Sequence, residues 1–126
     1  MRESVVIPTF NRSGLLVQTV PALLHQKTGE DVTYEVIFVN NGSSDGTEAV
    51  LNEAAARFPE RIRYYAIAPT GGPSAPRNVG IRAATGEVVV ILDDDVLPDP
   101  DLVQRQVRHD LQHPGPERLF GAERTE

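Results

Sequence analysis

Cysteine is missing from the 126 residues of this chain. Its absence excludes disulfide bonds, thiolate nucleophiles and cysteine-ligated zinc sites, and it agrees with a reducing compartment. A chain of this length buries enough apolar surface to fold without such cross-links. We therefore expect one cytoplasmic domain over residues 1–126.

Long apolar runs, basic stripes and two common phosphate-binding motifs are also lacking. No stretch approaches the roughly 18 apolar residues of a membrane-spanning helix, so we expect no transmembrane segment. A net charge of −6 with dispersed arginines argues against a nucleic-acid partner. Neither the G-x-x-x-x-G-K-[ST] pattern nor a G-x-G-x-x-G pattern after the first strand occurs, so P-loop and dinucleotide-binding functions lose their main support.

Short β-branched runs alternate with amphipathic segments along the chain. The runs that predict strands are Ser4–Ile7, Tyr34–Val39, Ile62–Ile67, Glu87–Leu92 and Arg118–Ala122. Helices are predicted at Gly14–Gln26, Thr47–Phe58, Pro76–Ala84 and Pro100–Gln112. This alternation predicts an α/β fold, a three-layer α/β/α Rossmann-like sandwich with a mainly parallel sheet.

Some local details follow from the same patterns. Ser13 is the expected N-cap of the first helix, and Pro21 should interrupt and bend that helix. Arg61 and Arg63 of the third strand are expected to face solvent.

Three consecutive carboxylates, Asp93, Asp94 and Asp95, follow the fourth predicted strand. That strand is apolar without alternation, which is typical of a strand covered on both faces. Crowded carboxylates repel one another unless a cation lies among them, because each ionised group raises the cost of ionising the next. The triplet therefore predicts a divalent metal site, with a solvated helix-capping turn as the alternative interpretation.

Other polar loops should meet the acidic turn at the same edge of the sheet, since each follows a parallel strand. The loop from Gly71 to Asn78 supplies Arg77 and a helix N-terminus, which together with the acids suit a metal-chelated diphosphate. Side chains that could bind a base or ribose by hydrogen bonds are Thr9, Asn11, Asn40, Asn41 and Ser43. An ordinary Asx-rich turn and a surface arginine are the alternative interpretations.

Three stretches of the sequence resemble a known family, in the same order and with similar spacing. They read SVVIPTFNR, EVIFVNNGSSDGT and APRNVGIRAATGEVVVILDDDVLPDPD. They are similar to the nucleotide-sugar-binding half of inverting family 2 glycosyltransferases, which have the GT-A fold. The resemblance covers residues 4 to about 110. It implies a glycosyltransferase that binds a nucleotide-diphospho-sugar, usually a UDP-sugar, together with Mn²⁺ or Mg²⁺.

The resemblance also implies roles on the nucleotide side of the site. The turn formed by Pro8, Thr9, Phe10 and Asn11 would line the nucleobase pocket. Asn40, followed by Asn41, stands where the family usually has an aspartate that accepts a hydrogen bond from the base. An amide can accept through its oxygen and also donate, so the base identity stays open.

On the phosphate side, the resemblance implies that Arg77 contacts the nucleotide. Asp93, Asp94 and Asp95 fall on the DXD-type motif. Asp94 would then lie near the ribose, and Asp95, with Asp93, would bind the metal ion.

The implied reaction is a single displacement at the anomeric carbon of the sugar. The metal neutralises the departing nucleoside diphosphate, and a carboxylate deprotonates the acceptor hydroxyl. Asp99, Asp101 and Asp110 do not lie where the family's base is expected, so no catalytic base is assigned. We expect that the chain is truncated before the acceptor-binding half of the family.

Other hypotheses compete with this one. The chain could be a non-catalytic nucleotide-sugar-binding or assembly module, and a surface left by the missing half could favour a homodimer. A receiver-type phosphoacceptor domain is disfavoured because Pro8-Thr9-Phe10 and Ile67-Ala68-Pro69 occupy the places of its acids. His109 and His113 flank Asp110 on a predicted helix and could chelate zinc, but the sequence supplies no third ligand.

Overall fold

The computed structural model describes residues 1–69, 72, 74–95, 97–106 and 119–122. Strands and helices alternate within these ranges. In chain order they are β1 (Arg2–Thr9), α1 (Ser13–Leu24), β2 (Thr33–Asn41), α2 (Thr47–Arg57), β3 (Ile62–Ile67), α3 (Ser74–Ala83), β4 (Val88–Leu92) and β5 (Leu119–Ala122). Residues 102–106 are also helical. The predicted alternation of strands and helices is therefore confirmed within the described ranges.

The five strands form one sheet in the order β3-β2-β1-β4-β5, and every neighbouring pair is parallel. β1 lies in the middle, where Val5 pairs with Val36 of β2 and with Val90 of β4. β1 and β2 are buried along most of their length, as expected for strands covered on both faces. The predicted mainly parallel sheet is confirmed.

Helices cover both faces of the sheet and give the predicted three layers. On one face, Val5 and Ile7 pack with Leu16 of α1 and Leu51 of α2. On the other face, Val6, Ile37 and Val39 are covered by residues of α3 that include Val79 and Ala83. Successive residues of β1 therefore point to opposite layers, which is the period of two that a strand requires.

Close contact between α3 and β1 depends on Gly80, whose Cα faces Val6. A Cβ built on Gly80 would lie 2.2 Å from Val6 Cγ1, a distance that no real side chain tolerates. Glycine at this position lets α3 approach the sheet closely, and the N-terminal end of the same helix lies at the site described below.

The amino ends of the strands hold a buried ion cluster around Glu35 of β2, which we call the amino-edge cluster (Arg2, Ser4, Glu35, Arg63 and Thr85). Ser4 Oγ donates a hydrogen bond to Glu35 at 2.6 Å, and the Thr85 N–H and hydroxyl each donate at 2.8 Å. Arg63 donates at 2.7 Å, and Arg2 lies 3.4 Å away. Every hydrogen-bonding position around this carboxylate is thus occupied by a donor from another strand or loop.

The pKa of Glu35 reflects the hydrogen bonds that its carboxylate accepts within this cluster. Burial alone would raise that pKa, but hydrogen bonds from Ser4, Thr85 and Arg63 outweigh burial and lower it from 4.5 to about 2. The expectation that Arg63 faces solvent is wrong, because its guanidinium also donates to the Ala83 carbonyl at 2.6 Å. Arg61, also expected to face solvent, is half-buried with its guanidinium over the Tyr34 ring.

Several local predictions need correction. Ser13 is the first residue of α1 and Arg12 takes the N-cap position, with no capping bond from its side chain. α1 continues through Pro21 to Leu24. The expectation that both faces of β4 are fully covered is wrong. Val88, Val90 and Leu92 are buried, whereas Val89 and Ile91 on the α3 side are half-buried. No helix in the described part of the chain is long and apolar enough to cross a bilayer.

Candidate functional site

A crevice opens at the carboxyl edge of the sheet between β1 and β4. From β1 the chain moves to β2 and β3 on one side, and β4 then returns to the other side of β1. Loops leaving β1 and β4 therefore diverge, and ligands of open α/β sheets bind at such a point. The cavity has a volume of about 350 Å³ and is lined by Pro8, Thr9, Phe10, Arg12, Asn41, Gly72, Pro76, Arg77, Asp93 and Asp94. We call this cavity the crevice.

The loop after β1 is locked to the loop after β2 by reciprocal hydrogen bonds. Asn11 adopts a left-handed backbone with φ of 51°, which asparagine tolerates better than most residues. Its N–H donates to Ser43 Oγ at 2.9 Å, and its Oδ1 accepts from the Ser44 N–H at 2.8 Å. The N–H of Arg12 donates to Thr47 Oγ1 at 3.0 Å. Asn11 therefore shapes the loop and does not line the crevice.

Asp45 connects the beginnings of α1 and α2. One carboxylate oxygen accepts from the N–H and hydroxyl of Thr47, and the other accepts from the N–H and hydroxyl of Ser13. The Thr47 hydroxyl is the largest cause of a pKa for Asp45 lowered from 3.8 to about 2, against a smaller opposing effect of desolvation. Asp45 thereby holds the two loops at a fixed distance behind the crevice.

The acidic turn after β4 contributes two of its three carboxylates to the crevice. Asp94 accepts a hydrogen bond from the Phe10 N–H at 3.0 Å, and its other oxygen lies 3.4 Å from Arg12 Nε. Asp93 also lines the crevice and has no hydrogen-bond or ion-pair partner among the described residues. Asp95 is exposed and does not line the cavity. The turn thus presents one anchored and one unpaired carboxylate to the crevice.

The N-terminal part of α3 forms the side of the crevice that carries Arg77. Pro76 is buried in the first turn, where proline fits because the first helical N–H groups have no partner. Arg77 is exposed, lines the cavity and forms no ion pair with any described residue. An exposed guanidinium beside a helix N-terminus is a favourable place for an anion.

Two hydrogen-bonding side chains at the ends of β1 and β2 differ in their accessibility. Thr9 lines the crevice and is only 2% exposed, and its hydroxyl finds no partner among the described residues. Asn40 is 3% exposed and does not line the cavity. Its Oδ1 accepts a hydrogen bond from the Ser43 N–H at 3.0 Å. Asn41, the last residue of β2, does line it.

The structure therefore brings together most of the residues singled out from the sequence. Those that line the crevice are Pro8, Thr9, Phe10, Asn41, Arg77, Asp93 and Asp94. Asn11, Asn40 and Ser43 lie behind it in the loop network. Arg12, Gly72 and Pro76 also line the crevice; the loops Pro8–Arg12 and Gly71–Asn78, to which they belong, were expected at this edge, but the residues themselves were not assigned a role. The position of Arg12 directly after the β1 turn is the signal that could have found it.

The described residues provide few side chains that could bind a metal ion. No group of three or more acids or histidines that could hold a metal ion occurs in the part of the chain that the structure describes. Asp99 and Asp101 lie 3.3 Å from the Arg105 guanidinium and do not line the crevice. His109, Asp110 and His113 lie outside the described residues. Among the described residues, the carboxylates available to a metal in the crevice are those of Asp93 and Asp94, with Asp95 beside them.

Comparison with known proteins gives the family. The model of the family described as "Glycosyl transferase family 2" matches residues 4–115. Chondroitin synthase of Escherichia coli is 40% identical over 102 residues, which are 80% of this chain and 14% of that protein. The chain spans 26% of an uncharacterised glycosyltransferase, YfnE, of Bacillus subtilis, to which it is 33% identical over 86% of its own length.

Solved structures agree with this fold. A mannosyltransferase from Pyrobaculum calidifontis, in complex with GDP-Man and Mn²⁺, is 28% identical with a TM-score of 0.77, over 90% of this chain and 32% of that one. TarS 1-349 of S. aureus, in complex with UDP-GlcNAc, has a TM-score of 0.75 at 24% identity, over 90% of this chain and 32% of that one. The sheet and its crevice are therefore the N-terminal part of a GT-A fold, and the chain belongs to glycosyl transferase family 2.

Proposed function

We propose that this chain binds the nucleoside-diphospho-sugar donor of a glycosyltransferase, which passes the sugar to an acceptor hydroxyl. The observation that carries the proposal is the composition of the crevice. A partly exposed aromatic ring, Phe10, lies at one side, and an exposed cation, Arg77, lies at another. The carboxylates of the acidic turn also line the crevice. One side of the crevice combines an aromatic ring with hydrogen-bonding groups, which suits a nucleobase. The other side combines a cation with carboxylates, which suits a diphosphate bound to a metal ion. The crevice therefore fits a nucleotide better than a neutral sugar alone.

The base and ribose have candidate partners in the first loops. Phe10 is 51% exposed, although phenylalanine is usually buried, so its ring is available to pack on a flat ligand. The buried hydroxyl of Thr9 lacks a partner among the described residues and could donate to or accept from a ligand atom. Asn41, with both donor and acceptor atoms, fits uracil or another base, and UDP-sugars are the first donors to test.

Arg77 and the N-terminus of α3 would bind the diphosphate. The guanidinium can donate two parallel hydrogen bonds to a phosphate, and the first N–H groups of α3 add a positive field. Arg77 can turn to the phosphate without breaking an ion pair to any described residue.

Asp93 fits a divalent cation, since it is a hard oxygen ligand that lies in the crevice without a partner among described residues. Asp95, exposed beside it, could join it, while Asp94 is anchored by Phe10. Bound with the donor, Mn²⁺ or Mg²⁺ would neutralise the charge that develops on the leaving diphosphate. The mannosyltransferase complexed with GDP-Man and Mn²⁺ supports this part of the proposal.

Deprotonation of the acceptor needs a further carboxylate. Among the described residues, only Asp93 and Asp94 bring carboxylates to the crevice, and both are assigned to the donor. Asp99 and Asp101 face Arg105 instead. We therefore propose that the base comes from outside the described crevice, and that this part of the protein positions the donor.

Calorimetric titration of the purified chain with UDP, GDP and dTDP, each with Mn²⁺ and again with EDTA, tests the proposal. We expect saturable binding of at least one nucleotide that weakens when the metal is removed. The control is Arg57→Ala, which removes an exposed arginine on α2, outside the crevice, and should bind as the parent does. Binding of no nucleotide by a folded chain would contradict the proposal.

A further inference from the structure

Arg12 and Arg77 are the cations among the described crevice residues, and Arg12 forms an ion pair with another described residue, Asp94. Its Nε lies 3.4 Å from Asp94 Oδ1, and the Arg12 side chain is 47% exposed. Charge-assisted hydrogen bonds of this kind are usually about 2.7–2.9 Å long, so the pair is loose, and exposed ion pairs contribute about 0–1 kcal/mol. Breaking the Arg12–Asp94 pair should therefore cost little free energy.

The backbone around this pair is fixed while the guanidinium is not. The Arg12 N–H is held by Thr47 Oγ1 at 3.0 Å, and Asp94 is held independently by the Phe10 N–H at 3.0 Å. The terminal nitrogens of Arg12, Nη1 and Nη2, make no hydrogen bond to any residue in the described ranges. If the guanidinium turned away, both the loop and Asp94 would keep their positions.

The charges of the crevice favour rotation of the Arg12 guanidinium towards a bound diphosphate. Asp93 and Asp94 both face the space that a diphosphate would enter, and like charges at close range repel. A diphosphate would bring further negative charge into this space, and of the described crevice residues only Arg77 would meet it with a positive charge if Arg12 stayed on Asp94. Arg12, on the β1 side, can offer the phosphates its two terminal nitrogens.

We infer that Arg12 is a further donor-binding residue, which exchanges its loose pair with Asp94 for the diphosphate of the bound nucleotide. This inference rests on the proposed function of the crevice. Arg12 and Arg77 would then hold the diphosphate from two different elements, the loop after β1 and the N-terminal part of α3. Asp94 would stay in place through Phe10.

Titrations with a nucleotide and with its phosphate-free nucleoside test this inference. UDP and uridine, or GDP and guanosine if GDP is the nucleotide that binds, are titrated with Mg²⁺ into the parent, Arg12→Ala and Arg12→Lys. We expect Arg12→Ala to weaken nucleotide binding about tenfold, the usual effect of losing a hydrogen bond to a charged group, and to change nucleoside binding less than about twofold. Arg12→Lys should recover part of the loss, and Arg57→Ala should bind like the parent.

The outcomes separate the inference from the function on which it rests. Equal nucleotide affinity in Arg12→Ala and the parent overturns the inference alone. Parallel losses of nucleotide and nucleoside also overturn it, because Arg12 would then only shape the loop. If the folded parent binds neither compound, the proposed function fails and the inference fails with it.

A second variant distinguishes direct contact from simple neutralisation of Asp94. In an Asp94→Asn background, the amide can still accept from Phe10 but carries no charge. We expect the loss caused by Arg12→Ala to persist in that background. Its disappearance would show that Arg12 only offsets Asp94, and it would overturn the assignment of a phosphate contact.

Discussion

The two edges of the sheet treat charge in opposite ways. At the amino edge, Glu35 is 3% exposed and receives donors from Ser4, Thr85 and Arg63. At the carboxyl edge, Asp93 and Arg77 line the same crevice and have no ion pair within the described part of the chain. Glu35 is surrounded by internal donors, whereas Asp93 and Arg77 face the crevice without an ion pair to a described residue.

This difference separates the charges that stabilise the fold from the charges that remain accessible at the crevice. A buried charge without partners is costly, so the donors around Glu35 stabilise the folded chain. The crevice is open to solvent, so its unpaired charges are hydrated and cost the folded state little. They can therefore be kept for an external metal and phosphate.

The largest effect should come from removing the centre of the amino-edge cluster. Glu35→Ala leaves Arg63 and Arg2 without their carboxylate, and breaking a buried pair in this way costs about 3–5 kcal/mol of unfolding free energy. Urea unfolding followed by circular dichroism measures the loss. Glu53→Ala, which removes an exposed i,i+4 pair with Arg57, is the control and should change stability by less than about 0.5 kcal/mol. A loss for Glu35→Ala as small as the control would contradict the assignment.

The pH dependence of the same carboxylate should follow its lowered pKa. The folded-state pKa of Glu35 lies below its ordinary value, so its stabilisation is complete above about pH 4.5 and is lost as pH falls towards 2. A shift from 4.5 to about 2 corresponds to about 3 kcal/mol. The unfolding free energies of the parent and Glu35→Gln, measured between pH 6 and 2, should converge by roughly this amount. A difference that stays constant with pH would disprove the linkage.

At the carboxyl edge, the same kind of substitution should leave stability intact and remove function. Asp93→Asn deletes a carboxylate that has no partner among described residues, so the unfolding free energy should change by less than about 0.5 kcal/mol. Metal-dependent nucleotide affinity should fall at least about tenfold, since a ligand of the cation is lost. Unfolding and calorimetry on the same preparation check both parts. Unchanged affinity would remove Asp93 from the metal site.

The smallest effect is expected behind the crevice, where Asp45 connects the loops after β1 and β2. Asp45→Asn keeps an acceptor but loses the charge that receives four donors from Ser13 and Thr47. We expect faster amide exchange at Ser13 and Thr47, with the sheet amides unaffected. In the parent, the protection of the same two amides relative to their intrinsic exchange rates should fall as pH falls from 3.8 towards 2, through the lowered pKa of Asp45. Unaltered exchange would show that the loops hold without this carboxylate.

Much of the fold was predictable because the strands and helices have clear apolar patterns. β3 has the predicted bounds, Ile62–Ile67, and the parallel order places the loops after β1 and β4 at one edge as expected. Asp93 and Asp94 line the crevice because they follow β4, whose carboxyl end lies there. Arg77 lines it because it belongs to the first turn of α3, which begins there. Position in the chain was sufficient for these residues.

Other features depend on contacts that sequence position does not reveal. Arg63 turns inward because Glu35, on the neighbouring strand, points to the same face, and this pairing requires the register of β2 against β3. Asn11 and Asn40 lie behind the crevice because the two loops hydrogen-bond to each other. Arg12 acquires significance only through the nearness of Asp94, which is 82 residues away in the chain.

The most direct test of the account is to locate a bound nucleotide on the folded chain. A ¹⁵N–¹H NMR titration with UDP or GDP and Mg²⁺ should shift the amide signals of Thr9 to Arg12, Arg77, Asp93 and Asp94. Signals of Arg2, Glu35, Arg63 and Thr85 should stay unchanged. Shifts confined to the amino edge, or no shifts at a saturating nucleotide concentration, would contradict the claim that the carboxyl edge is the donor site.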